Sequence, residues 1–459
     1  MKRKSLFLIL LTILVGITGH FLGLDFRQTM VMSIFSVSIL GTLFFWEFRL
    51  SLVFIGSGLL LLIHAVDIET FIKFASLEVV LFLISMMILV GMMKEAGFFL
   101  WFITSILRVK NLDGRKMFGL IMVVSWLLSG LMDEVTSIIV IATAIFDICI
   151  FLEISPVPLL ISSVLATNIG STSTVLGNPI GILIATKSKL TFGDFIVHAL
   201  PVSLIILIVT IFILLFWYRR YIKELSSKLK GYAGNDFFSL LISIPPDRKT
   251  KISMLIFGIT ILLIALHGEL EVLLGLEKNT LLIILPMISA GIVMLYRRDK
   301  ARYYVEHEVE WNSLLFFLFL FAEAGVMQSS GVAGIMAEKI VKSVGQNPKI
   351  LSGVILFSSG ILSSMLDNVV VVSTYIPIVK NIAALHSWNL NPVWWAILFG
   401  ACHGGNITMI GSTANIVALG LLERKFNIKI RFLDWLKIGL VIGFLGMTLS
   451  TLYLFIRYF

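Results

Sequence analysis

Residues 157–185 read VPLLISSVLATNIGSTSTVLGNPIGILIA, and residues 392–422 read PVWWAILFGACHGGNITMIGSTANIVALGLL. Each begins as an apolar helix behind a proline, breaks in its middle, and resumes as an apolar helix. The breaks are Thr167-Asn168-Ile169-Gly170-Ser171-Thr172-Ser173-Thr174-Val175-Leu176-Gly177-Asn178-Pro179 and His403-Gly404-Gly405-Asn406-Ile407-Thr408-Met409-Ile410-Gly411-Ser412-Thr413-Ala414-Asn415. Glycines and Pro179 interrupt the helical ladder, so carbonyls lose their intrahelical partners. Serine, threonine and asparagine add neutral oxygens. Such a set suits a hard cation such as Na⁺. The bland alternative is interhelical hydrogen bonding, worth about 0.6 kcal/mol on average. Two clusters in matching places favour a site over that alternative.

The matching is an internal repeat at an offset of 234 residues. Gly91 pairs with Gly325, Gly97 with Gly331, Ser129 with Ser363, Asp133 with Asp367 and Val135 with Val369. Pro158 pairs with Pro392, Thr174 with Thr408 and Gly177 with Gly411. Two further apolar stretches, 117–150 and 350–386, carry polar residues at their middles. A straight helix of roughly 35 residues would be about 50 Å long, too long for one crossing. Re-entrant hairpins with buried tips explain both lengths and polar centres. The tips are Ser129-Gly130-Leu131-Met132-Asp133-Glu134-Val135-Thr136-Ser137 and Ser363-Ser364-Met365-Leu366-Asp367-Asn368-Val369. Asp133 and Asp367 are natural N-caps for the returning arms. A capped helix start also presents free N–H groups and a positive dipole end.

The predicted organisation follows. Residues 1–27 hold an extra N-terminal span, 28–217 the first repeat, 218–251 a basic cytoplasmic linker, and 252–459 the second repeat. The fold class is all-α and polytopic, with about eleven transmembrane helices: 5–22, 29–46, 50–66, 77–93, 157–185, 195–217, 252–267, 280–296, 311–328, 392–422 and 436–456. An odd number of crossings per repeat turns the second copy upside down, a transporter architecture.

Composition sets the bounds. The chain has 459 residues, 58% hydrophobic and 14% charged, with mean hydropathy +1.02. Soluble domains carry about 25% charged residues, so a soluble enzyme and a disordered chain are excluded. The net charge of +9 is scattered between apolar spans, which excludes a nucleic-acid partner. Two cysteines, Cys149 and Cys402, give neither a disulfide framework nor a cysteine metal site. With the N-terminus inside, segments 1–4, 47–49, 94–116, 218–251, 297–310 and 423–437 hold 26 of the 36 basic residues. The positive-inside rule then predicts a cytoplasmic N-terminus in a plasma membrane of prokaryotic type.

Glu95, Glu323 and His403 stand in or beside spans. Glu95, at a span end, is expected to snorkel. Glu134, Glu323 and His403 are candidate proton carriers. No lysine or arginine lies at a hairpin tip or in a broken loop.

The stretches MMILVGMMKEAGFF (86–99), ATNIGSTSTVLGNP (166–179), SSMLDNVVVVSTYIPI (363–378) and FGACHGGNITMIGSTANIVALG (399–420) resemble the ion transporter superfamily. Its members include arsenite permeases, NhaD-type antiporters, the pink-eyed dilution P protein and divalent anion:sodium symporters. The likeness is strongest to the P-protein-like permeases. It implies hairpins and broken helices moving against a scaffold, in a homodimer. It implies Na⁺ held by Asp133, Thr136, Asn168 and Gly170 in one half, and by Asp367, Asn368, Gly404 and Asn406 in the other. The full candidate set adds Glu134, Ser171, Thr172, Asn178, Thr408, Ser412, Thr413 and Asn415. Where the family often has Leu-Asp-Asn at the first tip, this chain has Met132-Asp133-Glu134, which adds a titratable group. The tips lack the Ser-Asn-Thr triplets of dicarboxylate symporters, so succinate and citrate are not expected.

The expected function is a secondary transporter of a small inorganic or organic ion. The ion is an anion, an arsenite-like oxyacid or a carboxylate, coupled to Na⁺ or H⁺, with no other cofactor. The alternatives are a Na⁺/H⁺ antiporter and, less favoured, a passive anion channel. An enzyme is not expected, since no HExxH zinc motif occurs.

Overall fold

The computed structural model describes residues 2–107, 112–231, 247–344, 347–386 and 388–459. Among these the chain is helical throughout and has no strand. Eight helices are long and apolar enough to cross a bilayer, or nine if the bent pair Arg248–Ala265 and His267–Leu274 is one span. That tally differs from eleven because it counts Gly114–Leu131, Glu134–Leu152 and Asn368–Leu385, and leaves out the helices of fewer than 18 residues that match five expected spans, Leu6–Phe21, Arg49–Leu62, Val157–Gly170, Thr280–Tyr296 and Asn391–Gly404. The protein is an integral membrane protein.

Helix boundaries recur 234 residues apart. Leu77–Glu95 is followed by Trp311–Ser329, and Val157–Gly170 by Asn391–Gly404. The hairpin arms Gly114–Leu131 and Glu134–Leu152 have counterparts in Pro348–Ser363 and Asn368–Leu385. The cause is local chemistry repeated at each end. Asp113 accepts from Lys116 N at the start of the first hairpin, and Asn347 accepts from Lys349 N at the start of the second. Asp133 then caps one returning arm, accepting from Val135 N and Thr136 N, and Asp367 caps the other, accepting from Val369 N.

The chain falls into two compact units. One comprises residues 1–81, 310–405 and 450–459, the other 82–309 and 406–449. Each draws on both sequence repeats. The first unit holds the second hairpin and the leading half of the second broken span. The second unit holds the first hairpin, the whole first broken span and the trailing half of the second.

In the second unit Glu95 pairs with Arg297 (Nη1 to Oε2, 2.6 Å) and accepts from the Tyr304 hydroxyl at 2.9 Å. It is tied down by protein rather than left to snorkel. The basic stretch after Trp217 also departs from a loop, forming a helix over Arg219–Gly231. Ile222, Leu225 and Leu229 are buried, an i, i+3, i+7 stripe that holds one helical face on the protein. Of the expected linker, residues 232–246 lie outside the described residues, as do Arg108 and Lys110 of the basic segment 94–116.

Candidate functional site

The first break is an ordered, buried turn. Val157–Gly170 stops and Pro179–Ser188 resumes, capped by Asn178, whose Oδ1 accepts from Gly181 N at 2.7 Å. Asn178 Nδ2 donates to the Ser171 carbonyl and hydroxyl, both at 3.0 Å. Ser171 Oγ donates to the Asn168 carbonyl and Thr172 Oγ1 to the Ile169 carbonyl. In the second break Asn415 Nδ2 donates to the Thr408 carbonyl at 2.8 Å, and Ser412 caps Thr413–Phe426 by accepting from Ala414 N. Burial makes these pairings necessary, because an unpaired polar group away from water is costly.

The two breaks join through side chains in the second unit. Asn168 Nδ2 donates to Asn406 Oδ1 at 2.8 Å and to Asn415 Oδ1 at 2.9 Å. Asn168 Oδ1 accepts from Ser412 Oγ at 3.1 Å. Ser412 Oγ also lies 3.2 Å from Glu134 Oε1 at the first hairpin tip. Trp435 Nε1 donates to the Asn406 carbonyl at 3.2 Å. Glu134, Asn168, Asn406, Ser412 and Asn415 are all buried. One carboxylate thus sits in a lattice of amides and a hydroxyl.

Asp133 and Thr136 stay at the tip, where the Asp133 side chain accepts from the Thr136 N–H at 2.9 Å. Gly170, nominated as a ligand, gives its carbonyl to Ser173, which donates through both N (2.9 Å) and Oγ (2.6 Å). It also lets two backbones meet, since a Cβ there would lie 2.2 Å from the Trp126 carbonyl oxygen.

In the first unit the same construction recurs. Ser363 Oγ donates to the Ala401 carbonyl at 2.7 Å, as Ser129 Oγ does to the Thr167 carbonyl at 2.8 Å in the second unit. A Cβ on Gly404 would lie 2.1 Å from the Gly360 carbonyl oxygen. Ser129→Ala and Ser363→Ala should each lower unfolding stability by about 1 kcal/mol, the usual worth of one such bond. A thermal melt in detergent that leaves both at the wild-type midpoint would contradict this tie between hairpin and broken span.

Asp367 and Asn368 are buried at the second tip. Sequence reasoning missed a cation in this unit. Arg49 is only 9% exposed and donates from Nη2 to Ser313 Oγ at 2.9 Å. Its guanidinium lies 4.2 Å from the Trp46 ring centre and within the fields of Asp367 and Glu310. Its place in sequence reads as an ordinary loop charge, and no local signal marks it. Trp435 was missed for the same reason. Glu323 is fully buried, with Oε1 accepting from Ser57 Oγ at 3.1 Å and Oε2 without a partner among the described residues. His403 is buried and stacked on Phe399, and neither ring nitrogen has a hydrogen-bond partner there.

Apolar helices interrupted by ordered polar turns, with a buried carboxylate where two turns join, mark a polytopic membrane protein with a polar junction inside it. Comparison with known families agrees. The model described as "Citrate transporter" matches residues 41–400 and 324–459. The chain belongs to this citrate transporter family. An uncharacterised transporter of Mycobacterium tuberculosis is 31% identical over 83% of this chain and 86% of its own length. A 46 kDa membrane protein of Mycobacterium leprae is 27% identical over the same shares. The human P protein is 24% identical over 84% of this chain and 54% of its own length. The family indicates a transporter rather than an enzyme.

Proposed function

We propose that this chain is an ion-coupled secondary transporter that carries a small anion, an arsenite-like oxyacid or a carboxylate by alternating access. The coupling ion is H⁺ or Na⁺, and it acts at Glu134. The observation that carries this reading is the Glu134–Ser412–Asn168 chain of contacts. A serine hydroxyl has one proton to give and two lone pairs. Ser412 Oγ faces two oxygens, Glu134 Oε1 and Asn168 Oδ1, and takes the Ala414 N–H. A proton on Glu134 satisfies all three contacts at once, and its loss leaves the two oxygens sharing one hydrogen. Cargo or coupling-ion movement at this lattice therefore has a built-in electrostatic consequence. Two inverted copies of one unit, a homodimer and a cytoplasmic N-terminus belong to the same proposal.

A Na⁺/H⁺ antiporter is the second reading, favoured because the lattice carries a carboxylate and no cationic side chain. Proteoliposomes separate the two. With arsenite, succinate, citrate and phosphate supplied in turn, uptake of one of them driven by a Na⁺ or pH gradient supports the leading reading. Na⁺-driven proton movement with no anion present supports the antiporter. Currents of channel magnitude overturn both.

A further inference from the structure

We propose that a cavity beside the helix Arg219–Gly231 is a binding site for an acidic phospholipid. The cavity holds about 650 Å³ and lies within the second unit. Arg219, Lys223 and Lys230 line it from one face of that helix, and Arg115 faces them from the start of the first hairpin. Positions 219, 223 and 230 share a face by helical spacing. Lys228, on another face, pairs instead with Glu153 at 3.4 Å. None of the four lining cations has a carboxylate oxygen within 4.0 Å among the described residues. Four cations without a carboxylate partner among the described residues, one of them Arg219 resting 5.4 Å from the centre of the Phe216 ring, call for an anion.

The remaining wall identifies the anion's carrier. Phe212 and Phe216 also line the cavity, one turn apart near the end of the apolar span Phe192–Trp217, and are 69% and 73% exposed. An exposed phenylalanine pair on a membrane span faces acyl chains. A phosphate headgroup on the cations with its chains along Phe212 and Phe216 fills both halves of the site, as basic pockets at span ends do for anionic lipids. The helix is held firmly enough to form a site. Gly114 N donates to Ser226 Oγ at 3.0 Å, and Tyr221 donates to the Ser155 carbonyl at 2.8 Å.

The test is a thermal-shift titration of the purified full chain in neutral detergent, with phosphatidylglycerol, phosphatidylcholine or inorganic phosphate added. Phosphatidylglycerol should raise the melting point by binding the folded state, and the other two should not. Combined Arg115→Gln, Arg219→Gln and Lys223→Gln should weaken the phosphatidylglycerol midpoint on the order of a hundredfold. Arg219→Gln alone should weaken it by several-fold, and serves if the triple variant folds poorly. Combined Arg248→Gln, Lys249→Gln and Lys251→Gln, equal in charge and outside the cavity, should leave it unchanged. Equal loss in the two triple variants, or an equal shift with inorganic phosphate, overturns the proposal.

Discussion

Gly170→Ala is expected to destabilise the folded protein by about 3 kcal/mol or more, the upper range for forced overpacking. The added methyl carbon would stand 2.2 Å from the Trp126 carbonyl oxygen and 2.7 Å from its Cα. Both obstacles are main chain, so no rotamer change relieves them, and the hairpin arm must move away from the broken span. That movement also strains the Ser129–Thr167 bond and the turn that carries Asn168. Gly258→Ala provides the control. A Cβ there meets nothing within 4 Å, and the residue lies inside the helix Arg248–Ala265. Alanine should therefore hold or raise stability, since glycine in a helix interior costs up to about 1 kcal/mol. Thermal unfolding of the two variants in one detergent gives the comparison. Equal midpoints would remove the case for backbone contact at Gly170.

The second large effect is functional. Glu134→Gln should reduce ion-coupled uptake to background, at least about a hundredfold, if the carboxylate carries the coupling charge. Glutamine keeps an oxygen for Ser412, so stability should fall by no more than about 1 kcal/mol, the worth of one neutral hydrogen bond. Exchange of cargo across the membrane without a gradient discriminates further. It should survive in Glu134→Gln if this residue couples rather than binds cargo. Uptake that keeps its dependence on the driving gradient in this variant would place coupling elsewhere, with Glu323 next to be tested.

The turns inside the two long apolar stretches, and the helix breaks, were legible because their causes are local. Asp133 and Asp367 stand where a returning helix needs a cap, and Pro179 follows directly on a capping asparagine. The offset of 234 residues likewise predicted that helix ends would recur, as Val157–Gly170 and Asn391–Gly404 do. The lattice itself was only half legible. Glu134, Asn168, Asn406, Ser412 and Asn415 were all candidates, but their partnership was not. Asn168 meets Asn406 across 238 residues of chain, and no pattern along a strand of letters encodes that meeting. Arg49 shows the opposite failure, a residue whose burial by Trp46 and Phe316 turns an ordinary charge into part of an electrostatic environment. The Arg219–Gly231 helix was readable from Ile222, Leu225 and Leu229, but its many charges suggested a loop.

The amide of Asn168 has a chemical polarity that its neighbours depend on. Its nitrogen supplies hydrogens to two oxygens, and its own oxygen receives one from Ser412. Exchanging that nitrogen for oxygen, as an aspartate would, changes the shape of the cluster hardly at all. It would set the new atom against two amide oxygens with no hydrogen between them. Such a cage closes only around a captured metal ion or an imported proton, so one atom of one residue sets whether this junction holds itself together by its own hydrogens.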